Sequence, residues 1–227
     1  MSALGSYYPA GVNQYFANCT YAADVDITDS ARVDLSVGGA LQALDVDGIL
    51  AAQSIATAGV ATTFAATFAK QNTDDTIMGR FGRNITVVAS GAATSNVTVY
   101  GEDYLGQPMA QSFTLNGTTA VVGTKAFKRV TSISYAATAA TTINVGWGNV
   151  LGLPYAYIGE GVSYTDDVLN SSQGTFVARV VTQTLTSGDP RGTWTPAAGD
   201  ITNGTKRHSV KYTPLKSNLY GSAHVIA

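Results

Sequence analysis

Residues 82–117 read GRNITVVASGAATSNVTVYGEDYLGQPMAQSFTLNG, and this run decides the fold class. Ile85, Val87 and Ala89 alternate with Thr86 and Val88. Val97 and Val99 alternate with Asn96, Thr98 and Tyr100, and Phe113 and Leu115 alternate with Ser112 and Thr114. A period of two places successive side chains on opposite faces of a strand. Val, Ile, Thr and Tyr also suit a pleated, half-buried surface. Asn116-Gly117 is a tight-turn signal, because both residues accept positive φ at low cost. Pro108 follows Gly106-Gln107 and cannot donate to a central ladder, so it closes a segment. Further on, Ile143, Val145 and Trp147 alternate with Thr142, Asn144 and Gly146. Several short strands at this spacing predict an all-β protein, a sandwich or barrel.

The rest of the chain bounds this reading. Its 227 residues suit one large β-domain or two small ones, and such a length buries roughly 70% of the unfolded surface. Charged residues make up only 12%, against about 25% in ordinary globular chains. A surface so poor in charge is either covered by partners or built of Thr and Ser. Net charge is −2, and the Lys125-Ala126-Phe127-Lys128-Arg129 group reads as a solvated strand end. No nucleic-acid partner is expected, since counterion-release binding needs clustered Lys and Arg. A single cysteine, Cys19, allows no intrachain disulfide framework. The first residues, MSALGSYYPAGVNQYF, lack a basic n-region and an apolar h-region, so the expectation is synthesis in a cytoplasm. No run of 18 apolar residues occurs, so no membrane span is expected.

Residues 1–40 read as an extended N-terminal arm carrying short strands, at Asp24–Thr28 and Ala31–Val37. Tyr7, Tyr8, Tyr15, Phe16 and Tyr21 give it more aromatics than a free tail needs, and they are the candidate assembly contacts. Residues 41–227 read as a single β-sandwich domain. Within it, ILAAQSIATAGVATTFAATFAK is Ala-rich, but Gly59 splits it and Thr57, Thr62, Thr63 and Thr67 disfavour helix. The expectation is two strands joined near Ala58-Gly59. Residues 155–174 read as a long loop excursion, Thr175–Leu185 as a strand, Thr193–Thr195 as a short one, and His208–Tyr212 as the last.

No constellation points to catalysis or to a cofactor. His208 and His224 are the only histidines, too few for the common zinc sites. His208 follows Lys206-Arg207 and reads as a surface residue. Asp45-Val46-Asp47-Gly48 opens like a calcium loop, but Ala56 stands where the closing Glu belongs, so a solvated turn is the reading. Glu102-Asp103 point to opposite faces if extended, which rules them out as a glycosidase carboxylate pair; beside Gly101 they read as a turn. Six Asn-X-Ser/Thr matches follow from composition.

The run Gly82–Ser90, the run Val97–Met109, Leu115–Thr119, Lys125–Lys128 and Val145–Pro154 together resemble a family of virion structural proteins from tailed bacteriophages. Asp189-Pro190-Arg191-Gly192-Thr193-Trp194 is a weaker echo. These cover the central third of the chain and a C-terminal patch, and none is a catalytic motif. The resemblance implies a capsid decoration (cement) protein with a β-sandwich of jelly-roll type. It implies a place on the capsid outer surface of the virion and the major capsid protein as partner. Self-association as a homotrimer accompanies that reading. The alternative is a head- or tail-fibre adhesion module binding host carbohydrate, for which Trp147, Trp194, Tyr155 and Tyr157 are the candidates; Trp147, alternating with Val145, also reads as core. An enzyme is the third class, and no defensible acid/base pair supports it.

Overall fold

The computed structural model describes residues 31–36, 39–71 and 75–214. In chain order the strands begin with β1 (Ala31–Asp34), β2 (Asp45–Ser54), β3 (Gly59–Ala61), β4 (Arg83–Ala89) and β5 (Asn96–Glu102). They continue with β6 (Pro108–Thr114), β7 (Val121–Phe127), β8 (Arg129–Tyr135), β9 (Thr142–Gly152) and β10 (Tyr157–Thr165). The last are β11 (Val168–Leu169), β12 (Thr175–Val177), β13 (Thr193–Thr195) and β14 (His208–Pro214). Two short helices, α1 (Ala66–Gln71) and α2 (Asp75–Met78), lie between β3 and β4. The protein is all-β, as the alternation predicts. The arm residues Tyr7, Tyr8, Tyr15, Phe16 and Tyr21, and the expected strand at Asp24–Thr28, lie outside the described residues.

The strands form three antiparallel sheets. The β9 sheet runs β12-β13-β9-β4-β7, with β2 also on β9. The β5 sheet runs β3-β8-β5-β6, and the β14 sheet runs β1-β14-β10-β11. β9 organises the whole. One edge of it pairs with β4, from Ile143 opposite Ala89 to Leu151 opposite Arg83. Its other edge is shared between β2, at Thr142 to Trp147, and β13, at Leu151 and Gly152. The chain then shuttles between sheets. β7 and β8 are separated by Lys128 alone, where one bent run passes from the β9 sheet to the β5 sheet. The Asn116-Gly117 turn does the same job between β6 and β7. Thr119 N–H donates to the Asn116 carbonyl at 3.0 Å, with Gly117 at φ +55° as first central residue, the type II′ arrangement.

The alternating residues face inward. Ile85, Val87, Val97, Val99, Ile133, Ile143 and Val145 are fully buried, and with Phe113 and Trp147 they form one sandwich-like core between the β9 and β5 sheets. Each such aliphatic side chain contributes about 1.5–3 kcal/mol relative to exposure. A second core lies under the β14 sheet: Val33, Leu35, Leu41, Leu151, Leu153, Trp194, Val210 and Tyr212. β9 feeds both, with Trp147 in the first and Leu151 in the second.

Three local expectations are corrected. The strand after Gly59 stops at Ala61, and Ala66–Gln71 is helical. The helix lets Phe68 stack on Trp147 at 6.1 Å while Phe64 meets its edge at 6.0 Å. The 155–174 excursion is largely a hairpin of β10 and β11. Its glycines mark bulges, with register shifts on both sides of Gly159 and Glu160 at φ +48°. Asp166 and Asp167, both at positive φ, make the two-residue turn. The strand expected over Thr175–Leu185 ends at Val177, because the chain then turns along another strand's edge. There the Leu185 carbonyl accepts from Ser112 N–H at 2.7 Å and covers the outer edge of β6.

Candidate functional site

Most of the buried ionisable groups are committed to holding backbone. Arg83, first residue of β4, is completely buried. Its Nε donates to the Gly148 carbonyl at 2.8 Å. Nη1 donates to the carbonyls of Gln42 and Ile77, both at 2.9 Å, and Nη2 to Thr202 Oγ1 at 2.9 Å. Four chain segments thus converge on one guanidinium, and all these acceptors are neutral. Burial pushes its pKa down to about 9, which leaves it charged at neutral pH. A planar fork with five donors suits this; an ammonium does not.

A second cluster surrounds Arg191. Arg191 Nη1 meets Asp103 Oδ2 at 2.8 Å, with the Asp103 side chain wholly buried. The guanidinium lies over the Tyr104 ring, 4.7 Å from its centroid. Asp103 Oδ1 accepts from the N–H groups of Leu105 and Gln107, both at 2.8 Å, which shapes the β5–β6 turn. Asp189 caps the neighbouring loop: Oδ1 accepts from Arg191 N–H at 2.8 Å, and Oδ2 from Ala126 N–H at 3.0 Å. Burial raises the Asp189 pKa against the opposing pull of Arg191. Tyr104 Oη donates to the Pro154 carbonyl at 2.6 Å, and burial pushes its pKa up to about 12. Lys125 is buried too, and Nζ donates to the carbonyls of Ala110 and Thr184 at 2.9 and 2.7 Å. This corrects the reading of Lys125 as a solvated strand end. Its apolar stem crosses the β6–β7 gap while its ammonium finds carbonyl groups.

His208 is the exception. It is fully buried, not on the surface, and neither ring nitrogen has a hydrogen-bond partner among the described residues. It stands on the inward face of β14 with Val210 and Tyr212, its ring 5.7 Å from that of Trp194. Burial pushes its pKa down to about 4. The basic neighbours Lys206 and Arg207 gave no sign of this.

The exposed surface has a different character. The outer face of the β5 sheet is laid out by register. Val60 lies opposite Ser134, Ser134 opposite Thr98, and Thr98 opposite Ser112. One row on, Tyr100 lies opposite both Ser132 and Ala110. Asn96 opposite Thr114 adds a side-chain hydrogen bond of 2.9 Å. In these rows every side chain is uncharged, and an ion pair, Arg129–Glu102 at 3.7 Å, stands at their margin. Val60 and Tyr100 are well exposed, at 60% and 42%. An open groove of about 460 Å3 runs beside Tyr100, walled by Pro108, Ala110 and Leu185.

Trp147 and Trp194 are core residues, with indole N–H groups donating to the carbonyls of Ala43 and Gln173. Tyr155 and Tyr157 pack at the margin of the second core. Asp45 and Asp47 open β2 and do not form the turn expected from sequence; Asp47 N–H donates to Asp45 Oδ1 at 3.1 Å, and a hydrogen bond with the Asp45 side chain raises the Asp47 pKa. Among the described residues no group of three or more His, Cys, Asp and Glu side chains could hold a metal ion. No helix of the described residues is long and apolar enough to cross a membrane. No family model, curated protein or solved structure matches the chain.

Proposed function

We propose that this chain is a non-enzymatic capsid decoration protein of a tailed bacteriophage, built on a jelly-roll-type sandwich. It binds the major capsid protein lattice as a homotrimer on the outer surface and stabilises the head. The observation that carries this reading is the uncharged outer face of the β5 sheet, with Thr98, Ser112, Ser132 and Ser134 around exposed Tyr100 and Val60. A flat strand face without charged gatekeepers is an association surface unless something covers it. Many weak contacts of this kind across a repeating lattice add up by avidity.

The residues that carry the phage-family resemblance include Arg83, Asp103, Tyr104, Lys125, Asp189 and Arg191, the polar residues tied into the two buried clusters. That resemblance therefore rests on framework residues. The adhesion reading loses both of its tryptophans to the core. In the proposed assembly, Tyr7, Tyr8, Tyr15, Phe16 and Tyr21 contact a neighbouring subunit or the shell. The test is a purified-virion protein profile together with the solution mass of the isolated chain. Hundreds of copies per particle and a stable oligomer support the proposal. A few copies per particle, or a monomer that ignores shells, contradict it.

A further inference from the structure

β1 is held at the edge of the β14 sheet by four residue pairs with β14, from Ala31 opposite Tyr212 to Asp34 opposite Ser209. The next two residues close on His208 itself. Leu35 N–H donates to the His208 carbonyl at 2.9 Å, and His208 N–H donates to Ser36 Oγ at 2.8 Å. Val33 and Leu35 turn inward and cover the second core, of which Trp194 is the centre. On the other side of His208 stands Thr165, whose buried hydroxyl also lacks a partner among the described residues. The imidazole is thus boxed in by an edge strand, an aromatic ring and an unpaired hydroxyl.

We propose that His208 is an acid-sensitive latch that holds β1 against the β14 sheet. A neutral imidazole brings no charge into this box, whereas an imidazolium brings a charge and two N–H donors to ring nitrogens that have no hydrogen-bond partner among the described residues. The charged groups facing it divide evenly. Asp166, in the β10–β11 turn, and Asp200 favour the charged ring, while Lys206 and Arg83 oppose it, and desolvation outweighs all four. Arg32 is already bound to Asp167, and Arg207 N–H to Asp166, around a polar pocket of about 220 Å3 that Asp34 of β1, Ser209 and His208 also line. Lifting β1 uncovers the core face on which His208 sits and lets water reach the ring. The open state then binds a proton that the closed state refuses.

The sign follows from linkage. The closed form has a histidine pKa of about 4, and a hydrated imidazole has the ordinary 6.5. Closure is therefore fully favoured above that ordinary value and weakens as pH falls toward the lower one. Between about pH 7 and about pH 4.5 the opening equilibrium rises on the order of fiftyfold. The proposal does not depend on the function proposed above.

The test is hydrogen exchange read by mass spectrometry on the full chain at both pH values. Wild type is compared with His208→Phe and His208→Gln at each pH, which removes the chemical pH dependence of exchange. Peptides covering residues 31–36 report the latch, and peptides covering β5 report global opening. The proposal expects wild type to lose protection at 31–36 on acidification while β5 stays protected, and either folded variant to keep it. It is overturned if the variants acidify in parallel with wild type, if wild type shows no acid opening at 31–36, or if β5 opens together with β1.

Discussion

Asp103 and Arg191 lie 88 residues apart in the chain and meet in a buried ion pair at 2.8 Å. The pair fastens the β5–β6 turn to the loop before β13. It also sets the direction of the first prediction. Asp103→Ala leaves Arg191 with Asp189 alone and strips two turn N–H groups of their acceptor. Arg191→Met leaves the wholly buried Asp103 carboxylate without its ion-pair partner and removes the cation that opposes the burial of Asp189. Each is expected to lower the unfolding free energy by about 3–5 kcal/mol, with the double substitution costing less than the sum. Urea titration of the four proteins measures this; additive effects would mean the two side chains do not work as a pair.

Arg83 offers a second case, with a different balance. Removing it relieves a buried charge but leaves the carbonyls of Gly148, Gln42 and Ile77 without their donor. Each orphaned buried acceptor costs about 1–3 kcal/mol, so the losses win. Arg83→Met is expected to destabilise by about 3 kcal/mol or more, and Arg83→Lys by a similar amount, because one ammonium cannot span these acceptors. Thermal unfolding followed by circular dichroism is sufficient. A Lys variant as stable as wild type would contradict the role given to the fork.

Gly146 sits in β9 where β2 presses closest. A Cβ there would overlap the backbone carbonyl of Asp45 and the backbone of Val46. Backbone cannot swing aside as a side chain can, so Gly146→Ala should separate β2 from the sheet. The expected loss is about 1–3 kcal/mol, with increased hydrogen exchange confined first to residues 45–54. Wild-type stability in this variant would show that the β2–β9 contact is looser than described.

The outer face of the β5 sheet is tested by charge. Thr98→Lys and Ser134→Glu change exposed or half-exposed positions and leave the core intact, so stability should move by less than about 0.5 kcal/mol. Self-association and shell binding should fall at least tenfold. Sedimentation equilibrium of each variant checks this. Unchanged assembly would move the interface elsewhere.

Most of the sandwich was legible because its strands face a core on one side only. Val97 and Val99 against Thr98 and Tyr100, and Ile143, Val145 and Trp147 against Asn144, declare their burial by period alone. β10 was not legible. Gly159, Glu160 and Gly161 look like loop, yet they are two bulges that keep the strand paired with β14. The helix at Ala66–Gln71 was hidden by Thr67 and settled by Phe68, which reaches Trp147 only from a helical turn. His208 and Lys125 depart from expectation for one shared reason. Polar neighbours in sequence suggest exposure, whereas strand register decides which face each residue occupies. The Arg83 and Arg191 clusters draw partners from 65 and 88 residues away, and no local pattern announces such a meeting.

As proposed, this chain stabilises a shell by binding only its assembled form, as any ligand stabilises the state it binds. The direct measurement is the temperature at which phage heads release their genome, compared for native heads, heads stripped of this protein, and stripped heads with the protein added back. The account predicts earlier release after stripping, recovery on adding wild type, and no recovery with Thr98→Lys. Release at one temperature in all four preparations, with stripped particles losing adsorption to host cells instead, would contradict it.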